Sequence, residues 1–184
     1  MNLLEMQGIV KEFPGVRAVD HVDFSVTKGE IHALLGENGA GKTTLMNILY
    51  GLYRQDAGEI FWCGKPAQIS KPDEAIQLGI GMVHQHFMLV RKLTALENIL
   101  LGLRTEGYPL VRREAQRQLV SKLCEKYGLH IDLQKRVDKL SVGEQQRVEI
   151  LKVLFREAQL LILDEPTSVS VSYTHLTLPT ICSV

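Results

Sequence analysis

The stretch GENGAGKTT at residues 36–44 constrains the fold of this chain more than any other. It fits the pattern G-x-x-x-x-G-K-[ST], with glycines at both ends of the loop and a lysine and a threonine behind them. The preceding EIHALLG predicts a compact apolar strand over 30–35, and the following KTTLMNILYGL has apolar residues at helical spacing. A strand, a glycine loop and a helix in this order predict a loop whose backbone N–H groups surround phosphate oxygens.

The side chains of this loop suit a nucleotide phosphate. Lys42 would reach the β- and γ-phosphates, and the Thr43 hydroxyl would bind Mg²⁺. The alternative is a glycine-rich turn that happens to precede a helix, but a chance match in a chain of this length is roughly a one-in-a-hundred event at average residue frequencies. The predicted ATP-binding residues of the loop are Gly36, Asn38, Gly39, Ala40, Gly41, Lys42, Thr43 and Thr44.

The pattern along the rest of the chain predicts an α/β fold. LLEMQGIVKEF and RAVDHVDFSV alternate apolar and polar residues, which predicts two antiparallel strands joined through Pro14-Gly15. Strands then alternate with helices, which predicts a mostly parallel core sheet with helices on its faces. From Leu93 to about Phe155 the pattern is almost entirely helical. We therefore expect an N-terminal antiparallel β subdomain, a mostly parallel core and a helical insertion.

Composition narrows the classes of partner. Lys+Arg and Asp+Glu each number 21, so the net charge is zero and does not indicate a polyanion as partner. The apolar runs are far shorter than the roughly 20 residues that span a bilayer, and the N-terminus lacks the pattern of a signal peptide. The 3 cysteines are odd in number and without paired metal spacing, which favours reduced thiols in the cytosol.

Two carboxylates follow an apolar strand in LLILDE, namely Asp164 and Glu165. Open α/β sheets bind ligands at this end of their strands, where one carboxylate can hold Mg²⁺ and a second can take a proton from an attacking water. The alternative is an acidic turn that ends a core strand. The phosphate loop predicted for the same sheet favours the functional interpretation.

The stretch LSVGEQQRV has the pattern of a capping box at the start of a helix. Ser141 would accept a hydrogen bond from a first-turn N–H, and Glu144 would reach back to the backbone of Ser141. An ordinary capped helix is one interpretation of this stretch. An anion site at the helix N-terminus, beside Ser141 and Gly143, is the other.

Together these motifs resemble those of the ATP-binding cassette family, the nucleotide-hydrolysing subunits of ABC transporters. The phosphate loop resembles the family's Walker A motif, LLILDE its Walker B motif, LSVGE its signature motif, and MVHQHF its Q-loop. The resemblance covers residues 1 to about 168 in the family's order. It implies a P-loop NTPase core, incomplete at its C-terminus, forming a partial ABC ATP-binding domain over 1–168 with a helical subdomain at about 87–158.

The resemblance also implies roles for individual residues, with ATP and Mg²⁺ as ligands. Glu165 matches the general base, and Asp164 matches a Mg²⁺ ligand. Gln85 matches the residue that contacts Mg²⁺ and the attacking water and couples both to the transporter, so that Lys42, Gln85 and Glu165 form the catalytic set. Phe13 matches the aromatic residue that stacks on adenine; the alternative is a core residue at a strand end.

The signature motif is expected to act on a second ATP. In the family it faces the nucleotide held by the Walker A loop of a partner cassette. LSVGE differs from the common LSGGQ at two positions, but the capping pattern is retained. The residues implied to face the partner's ATP are Ser141, Gly143 and Glu144.

Three stretches resemble one branch of the family, the tandem-cassette ATPases of bacterial importers for simple sugars or nucleosides. They are EFPGVRAVDHVDF, ENGAGKTTLMNILYG and GIGMVHQHFMLV. The resemblance implies a peripheral subunit on the cytoplasmic face of the inner membrane. Its partners would be integral membrane permeases, a second cassette and, indirectly, a periplasmic or lipoprotein solute-binding protein, with no nucleic acid. The alternatives are a soluble cassette ATPase acting on nucleic acid or ribosomes, and a P-loop kinase or GTPase.

The last residues, 169–184, contain no Asp, Glu, Lys or Arg and show no fold signal. VSYTHL resembles the translation of a sequencing-library adapter, so we expect the native sequence to end near residues 168–170 and the remainder to be a non-native tail. The alternative is a divergent natural tail. We further expect that the core sheet stops after LLILDE with an unpaired edge, that the tail is irrelevant to function, and that the chain alone is inactive as an ATPase.

Overall fold

Two long antiparallel strands begin the chain, β1 (Asn2–Phe13) and β2 (Val16–Thr27). They meet at the turn of Pro14 and Gly15, as predicted. This computed structural model describes residues 2–85, 87–103, 113–164 and 180–183. Leu4 and Met6 lie in the core two residues apart, and Ile9 joins them after a shift in the register between β1 and β2; each is less than 2% exposed. Two further strands extend this antiparallel sheet in the order β2-β1-β4-β5, namely β4 (Ala57–Trp62) and β5 (Lys65–Ala67).

A second sheet contains the strands that border the predicted site. Its order is β3-β8-β7-β6, and β8 pairs in parallel with both β3 and β7. The four strands are β3 (Ile31–Ala33), β6 (Ile80–Val83), β7 (Leu160–Leu163) and β8 (Thr180–Ser183). β6 and β7 are buried along their whole length, as expected for strands covered on both faces. Two helices connect the early strands, α1 (Lys42–Leu49) and α2 (Pro72–Gln77).

Two expectations about this sheet were wrong. The strand before the phosphate loop spans 31–33 rather than 30–35. Ile31 in the strand is 66% exposed and Leu35 beyond it is 89% exposed, whereas Leu34 packs partly buried against the core. The sheet also does not stop after β7, because residues 180–183 of the tail form β8 between β3 and β7. This strand satisfies backbone groups on both neighbours, which explains its formation without any alternating pattern.

The described residues of the helical stretch after β6 form three helices, as the periodicity predicts. They are α3 (Ala95–Leu100), α4 (Arg113–Tyr127) and α5 (Val142–Phe155), with one 3-10 turn at Val137–Lys139 before α5. A capping box of Thr94 and Glu97 starts α3. None of the helices in the described part of the chain is both long and apolar enough to cross a membrane.

The described residues divide into two compact units. The first comprises residues 2–82, 158–164 and 180–183 and holds both sheets; the second comprises the described residues of 83–157 and holds α3, α4 and α5. The α/β fold with an antiparallel N-terminal sheet, a second sheet with parallel pairing and a helical insertion is therefore confirmed. The domain boundaries proposed from the sequence, at about 87–158 and at 168, stay predictions.

Candidate functional site

The glycine loop lies between β3 and α1, and its backbone requires glycine at position 41. Gly41 has φ 86° and immediately precedes α1. A Cβ on Gly41 would lie 2.2 Å from the carbonyl oxygen of Ala18 on β2. The loop therefore packs against the antiparallel sheet so closely that any side chain at this position would displace backbone.

The N-terminal end of α1 has features that suit an anion. Within the described residues, its first turn has neither a side-chain cap nor an acidic residue. The Lys42 ammonium donates hydrogen bonds to the carbonyl oxygens of Gly36 at 2.9 Å and Glu37 at 3.0 Å. The lysine thus spans the loop from its helical end to its first residues, and its positive charge lies beside the N-terminal end of a helix dipole.

Two oxygen atoms that could bind a metal ion lie close together beside this loop, although their residues are far apart in the sequence. The Thr43 hydroxyl lies 3.5 Å from a carboxylate oxygen of Asp164, the residue that follows β7. Hydroxyl and carboxylate oxygens are the hard ligands that Mg²⁺ prefers, usually one or two from the protein, with water and phosphate completing the octahedron. Among the residues that the structure describes, no group of three or more His, Cys, Asp or Glu side chains could hold a metal ion. The chemistry of the Thr43 and Asp164 oxygens fits a magnesium ion that would take its other ligands from water and a phosphate.

The other two predicted catalytic residues are Gln85 and Glu165. Gln85 lies two residues after the end of the buried strand β6 and is exposed. Glu165, the predicted general base, lies outside the described residues. The structure thus brings together the loop, Thr43 and Asp164, while the roles of Gln85 and Glu165 stay predictions.

The predicted capping box of α5 is confirmed. The Ser141 hydroxyl accepts from the Glu144 N–H at 3.3 Å, and a Glu144 carboxylate oxygen accepts from the Ser141 N–H at 2.7 Å. The hydrogen bond from the Ser141 N–H is the main cause that holds the pKa of Glu144 below its ordinary value, with Lys135 contributing at 3.4 Å. Gly143 lies between them in the first turn. Glu144 thus serves the helix start, and a contact with a partner's ATP stays a prediction.

Phe13 lies at the end of β1 in a polar and aromatic setting. Its ring packs edge-on against Tyr53 with centroids 5.3 Å apart, and the Lys11 ammonium lies 5.6 Å from the ring centroid. Asp56 accepts from the Glu12 N–H at 2.7 Å and from Lys11 at 2.9 Å. These bonds, the backbone one first, lower the pKa of Asp56. Phe13 is half-buried, and its role in stacking on adenine stays a prediction.

Sequence reasoning missed several residues around these sites. The contact of Tyr53 with Phe13 could not be predicted, because the two residues are far apart in the sequence and no pattern near either one indicates it. The capping box at Thr94 could have been found, because T-x-x-E is the same pattern as in α5. The buried Glu149 on α5 was not singled out, although it accepts a hydrogen bond from the backbone of Met88.

Comparison with known proteins places these motifs in one family. The profile of the ABC transporter family matches residues 19–168. The glucose import ATP-binding protein TsgD13 of Haloferax volcanii is 50% identical over 90% of this chain and 35% of its own length. The guanosine import ATP-binding protein NupO of Bacillus subtilis is 52% identical over 91% of this chain and 33% of its own length. The chain spans about a third of the length of these curated relatives.

A solved structure agrees with the sequence comparison. The crystal structure of the ADP conformation of MJ1267, an ATP-binding cassette of an ABC transporter, superposes with a TM-score of 0.83 at 27% identity. The match covers 100% of this chain and 80% of that one. With the phosphate loop and the capped signature helix found where the sequence predicts them, and with a family profile that matches most of its length, the chain belongs to the ABC transporter family.

Proposed function

We infer that the chain is the nucleotide-binding cassette of an ATPase that powers the import of simple sugars or nucleosides across a cell membrane. The observation that carries this proposal is the 3.5 Å approach of the Thr43 hydroxyl to the Asp164 carboxylate. This contact joins two motifs that are 121 residues apart in the sequence. It lies beside the glycine loop, where the side chain of Lys42 folds back from the N-terminal end of α1 onto the loop. A purely structural turn after β7 would not require its carboxylate to face a threonine of the glycine loop.

Each residue of the site has a defined task in this proposal. The N–H groups of the loop and the Lys42 ammonium bind the β- and γ-phosphates of ATP. Thr43 and Asp164 would hold Mg²⁺, whose charge would neutralise that of the phosphate oxygens. Glu165 takes a proton from the attacking water, and Gln85 orients that water.

The relatives support import as the biological role but leave the solute open. One is named for glucose and another for guanosine, and their identities of 50% and 52% to this chain do not separate them. We therefore propose a solute class of simple sugars or nucleosides. The cassette would act on the cytoplasmic face of the membrane, with permease subunits, a second cassette and, indirectly, a solute-binding protein. No observation favours a soluble ATPase that acts on nucleic acid.

Replacing Asp164 by asparagine tests the metal site. In the full-length parent protein, we expect Asp164→Asn to lose the gain in ATP affinity that Mg²⁺ gives the wild type, because the amide has no charge to offer the cation. Affinity in EDTA should be unchanged. The measurement is a titration with a fluorescent ATP analogue, with and without Mg²⁺, while the second cassette is blocked by a substitution of its own loop lysine.

Asp73→Asn is the matched control, since Asp73 is an exposed carboxylate at the start of α2 in the same unit. It should keep the full Mg²⁺ effect. An Asp164→Asn protein that keeps that effect as well would contradict the metal site and the proposal built on it.

Replacing Phe13 tests the stacking role. We expect Phe13→Ala to weaken binding of ATP and GTP by similar amounts, on the order of 1–3 kcal/mol, because an aromatic face stacks on any base. Equilibrium titration of both nucleotides measures the effect, and Phe61→Ala is the control, because Phe61 is a half-buried phenylalanine on β4 of the same sheet. Unchanged affinity for both nucleotides in Phe13→Ala would instead support the core-residue interpretation.

A further inference from the structure

The segment that follows Gln85 is held through its backbone by buried polar side chains. Residues 87–90 belong to no helix or strand. The Met88 N–H donates to a carboxylate oxygen of Glu149 on α5 at 2.7 Å, and Glu149 is only 4% exposed. The Val90 N–H donates to the side-chain oxygen of Asn98 on α3 at 2.7 Å, and Asn98 is 1% exposed. Two helices therefore fix this irregular segment at two successive points.

Of the two anchoring side chains, only Glu149 carries a charge. Its second carboxylate oxygen forms an ion pair with Lys152 at 2.5 Å, one turn further along α5. A buried carboxylate is costly unless its oxygens are satisfied. One oxygen here is satisfied by the lysine, and the other by the Met88 N–H. An apolar or amide residue could fill this space without burying a charge. Packing alone therefore does not explain why a carboxylate is found here.

The Met88 side chain is not part of this anchoring. It is 72% exposed, so the segment is held by its backbone while its side chain faces solvent. Met88 is three residues after Gln85, and Glu149 is eight residues after Ser141, or about 12 Å along an α-helix. The hydrogen bond between Glu149 and Met88 thus joins the loop of the predicted catalytic glutamine to the helix that starts at the signature motif.

We propose that Glu149 is a positioning residue, which fixes the Gln85 loop to α5 through its hydrogen bond to the Met88 N–H. This inference rests on the proposed function, in which Gln85 orients the attacking water. A loop that shifts by about an ångström would misplace the glutamine and slow hydrolysis on the order of 10- to 100-fold. The glycine loop and its phosphate contacts belong to a different part of the chain, so KM for ATP should stay unchanged.

Two opposite substitutions separate the hydrogen bond from the charge. Glu149→Asp keeps the charge beside Lys152 but withdraws the oxygens by one methylene, beyond reach of the Met88 N–H. Glu149→Gln keeps the reach and an acceptor oxygen but removes the charge. If the hydrogen bond positions the loop, the aspartate variant is impaired and the glutamine variant is close to wild type. Glu125→Asp, on the exposed face of α4, is the control.

Two measurements on the full-length parent test the proposal. Hydrogen–deuterium exchange should show the Met88 amide exchanging about tenfold faster in Glu149→Asp, in keeping with the loss of one hydrogen bond, while Glu149→Gln and the control match the wild type. Steady-state kinetics should show a lower kcat for the aspartate variant alone, with KM unchanged in all variants.

Three results would overturn the positioning role while leaving the proposed function intact. One is an unchanged Met88 exchange rate in Glu149→Asp. A second is faster exchange with an unchanged kcat, which would make the hydrogen bond a matter of local order only. The third is the reverse pattern, with Glu149→Gln impaired and Glu149→Asp normal, which would identify a structural ion pair. A wild-type protein that hydrolyses no ATP would overturn the proposed function, and the positioning role with it; the exchange data would still report the hydrogen bond.

Discussion

Lys42→Ala is expected to abolish tight ATP binding by this cassette. The substitution removes the one cation that the sequence pattern assigns to the β- and γ-phosphates, and also the two hydrogen bonds from Lys42 to the carbonyls of Gly36 and Glu37. A hydrogen bond to a charged group contributes about 1.5–3 kcal/mol, so we expect affinity to fall by one to two orders of magnitude or more. Equilibrium titration with a fluorescent ATP analogue measures the loss in the full-length parent.

The control for this result is Lys65→Ala, because Lys65 is an exposed lysine on β5 in the same unit. It removes the same charge and the same side chain from a position outside the loop, and should bind ATP like the wild type. Thermal unfolding of both variants separates a loss of binding from a loss of fold. Wild-type affinity and turnover in Lys42→Ala would show that the glycine loop does not bind phosphate.

Glu165→Gln is expected to leave ATP binding intact and to slow hydrolysis at this site by about 10²–10⁴-fold. Glutamine has nearly the same shape as glutamate but cannot accept the proton of the attacking water. Asp164→Asn should behave differently, because it removes a Mg²⁺ ligand and affects binding. Single-turnover hydrolysis of ATP in the full-length parent, with the second cassette's base replaced in every sample, measures this site alone.

Glu157→Gln provides the matched control for the general base, as Glu157 is an exposed carboxylate just after α5. Its single-turnover rate should equal that of the wild type. Equal rates in Glu165→Gln would remove Glu165 from the mechanism and leave the proton to another group.

The sequence was most informative where the signal is local. The glycine pattern predicted the phosphate loop because the backbone at Gly41 tolerates no side chain. The spacing of Ser141 and Glu144 predicted the capping box because both partners lie within one helical turn. Period-two alternation predicted β1 and β2 because one face of each strand is buried.

The features that could not be predicted depend on partners distant in the sequence. An apolar strand such as β3 does not reveal whether a neighbour will cover it, and Ile31 of this strand is in fact 66% exposed. Glu149 and Met88 are 61 residues apart, and no pattern near either one indicates their hydrogen bond. Strand β8 forms between two existing parallel strands, so its residues needed no alternation of their own.

The position of β8 has a consequence for the magnesium site. Ser183 pairs with Ala33 of β3 on one side and with Leu163 of β7 on the other, so these three residues form one row across the sheet. Two strand spacings, roughly 10 Å in all, therefore separate the backbone that leads to the phosphate loop from the backbone that ends at Asp164. A slip of one residue between β8 and β7 would move Asp164 about 3.3 Å along the strands relative to Thr43 and would also turn the side chains of β7 to the opposite face of the sheet. The affinity for magnesium would then depend on the register of a strand from the tail, contrary to our expectation from the sequence that the tail is irrelevant to function.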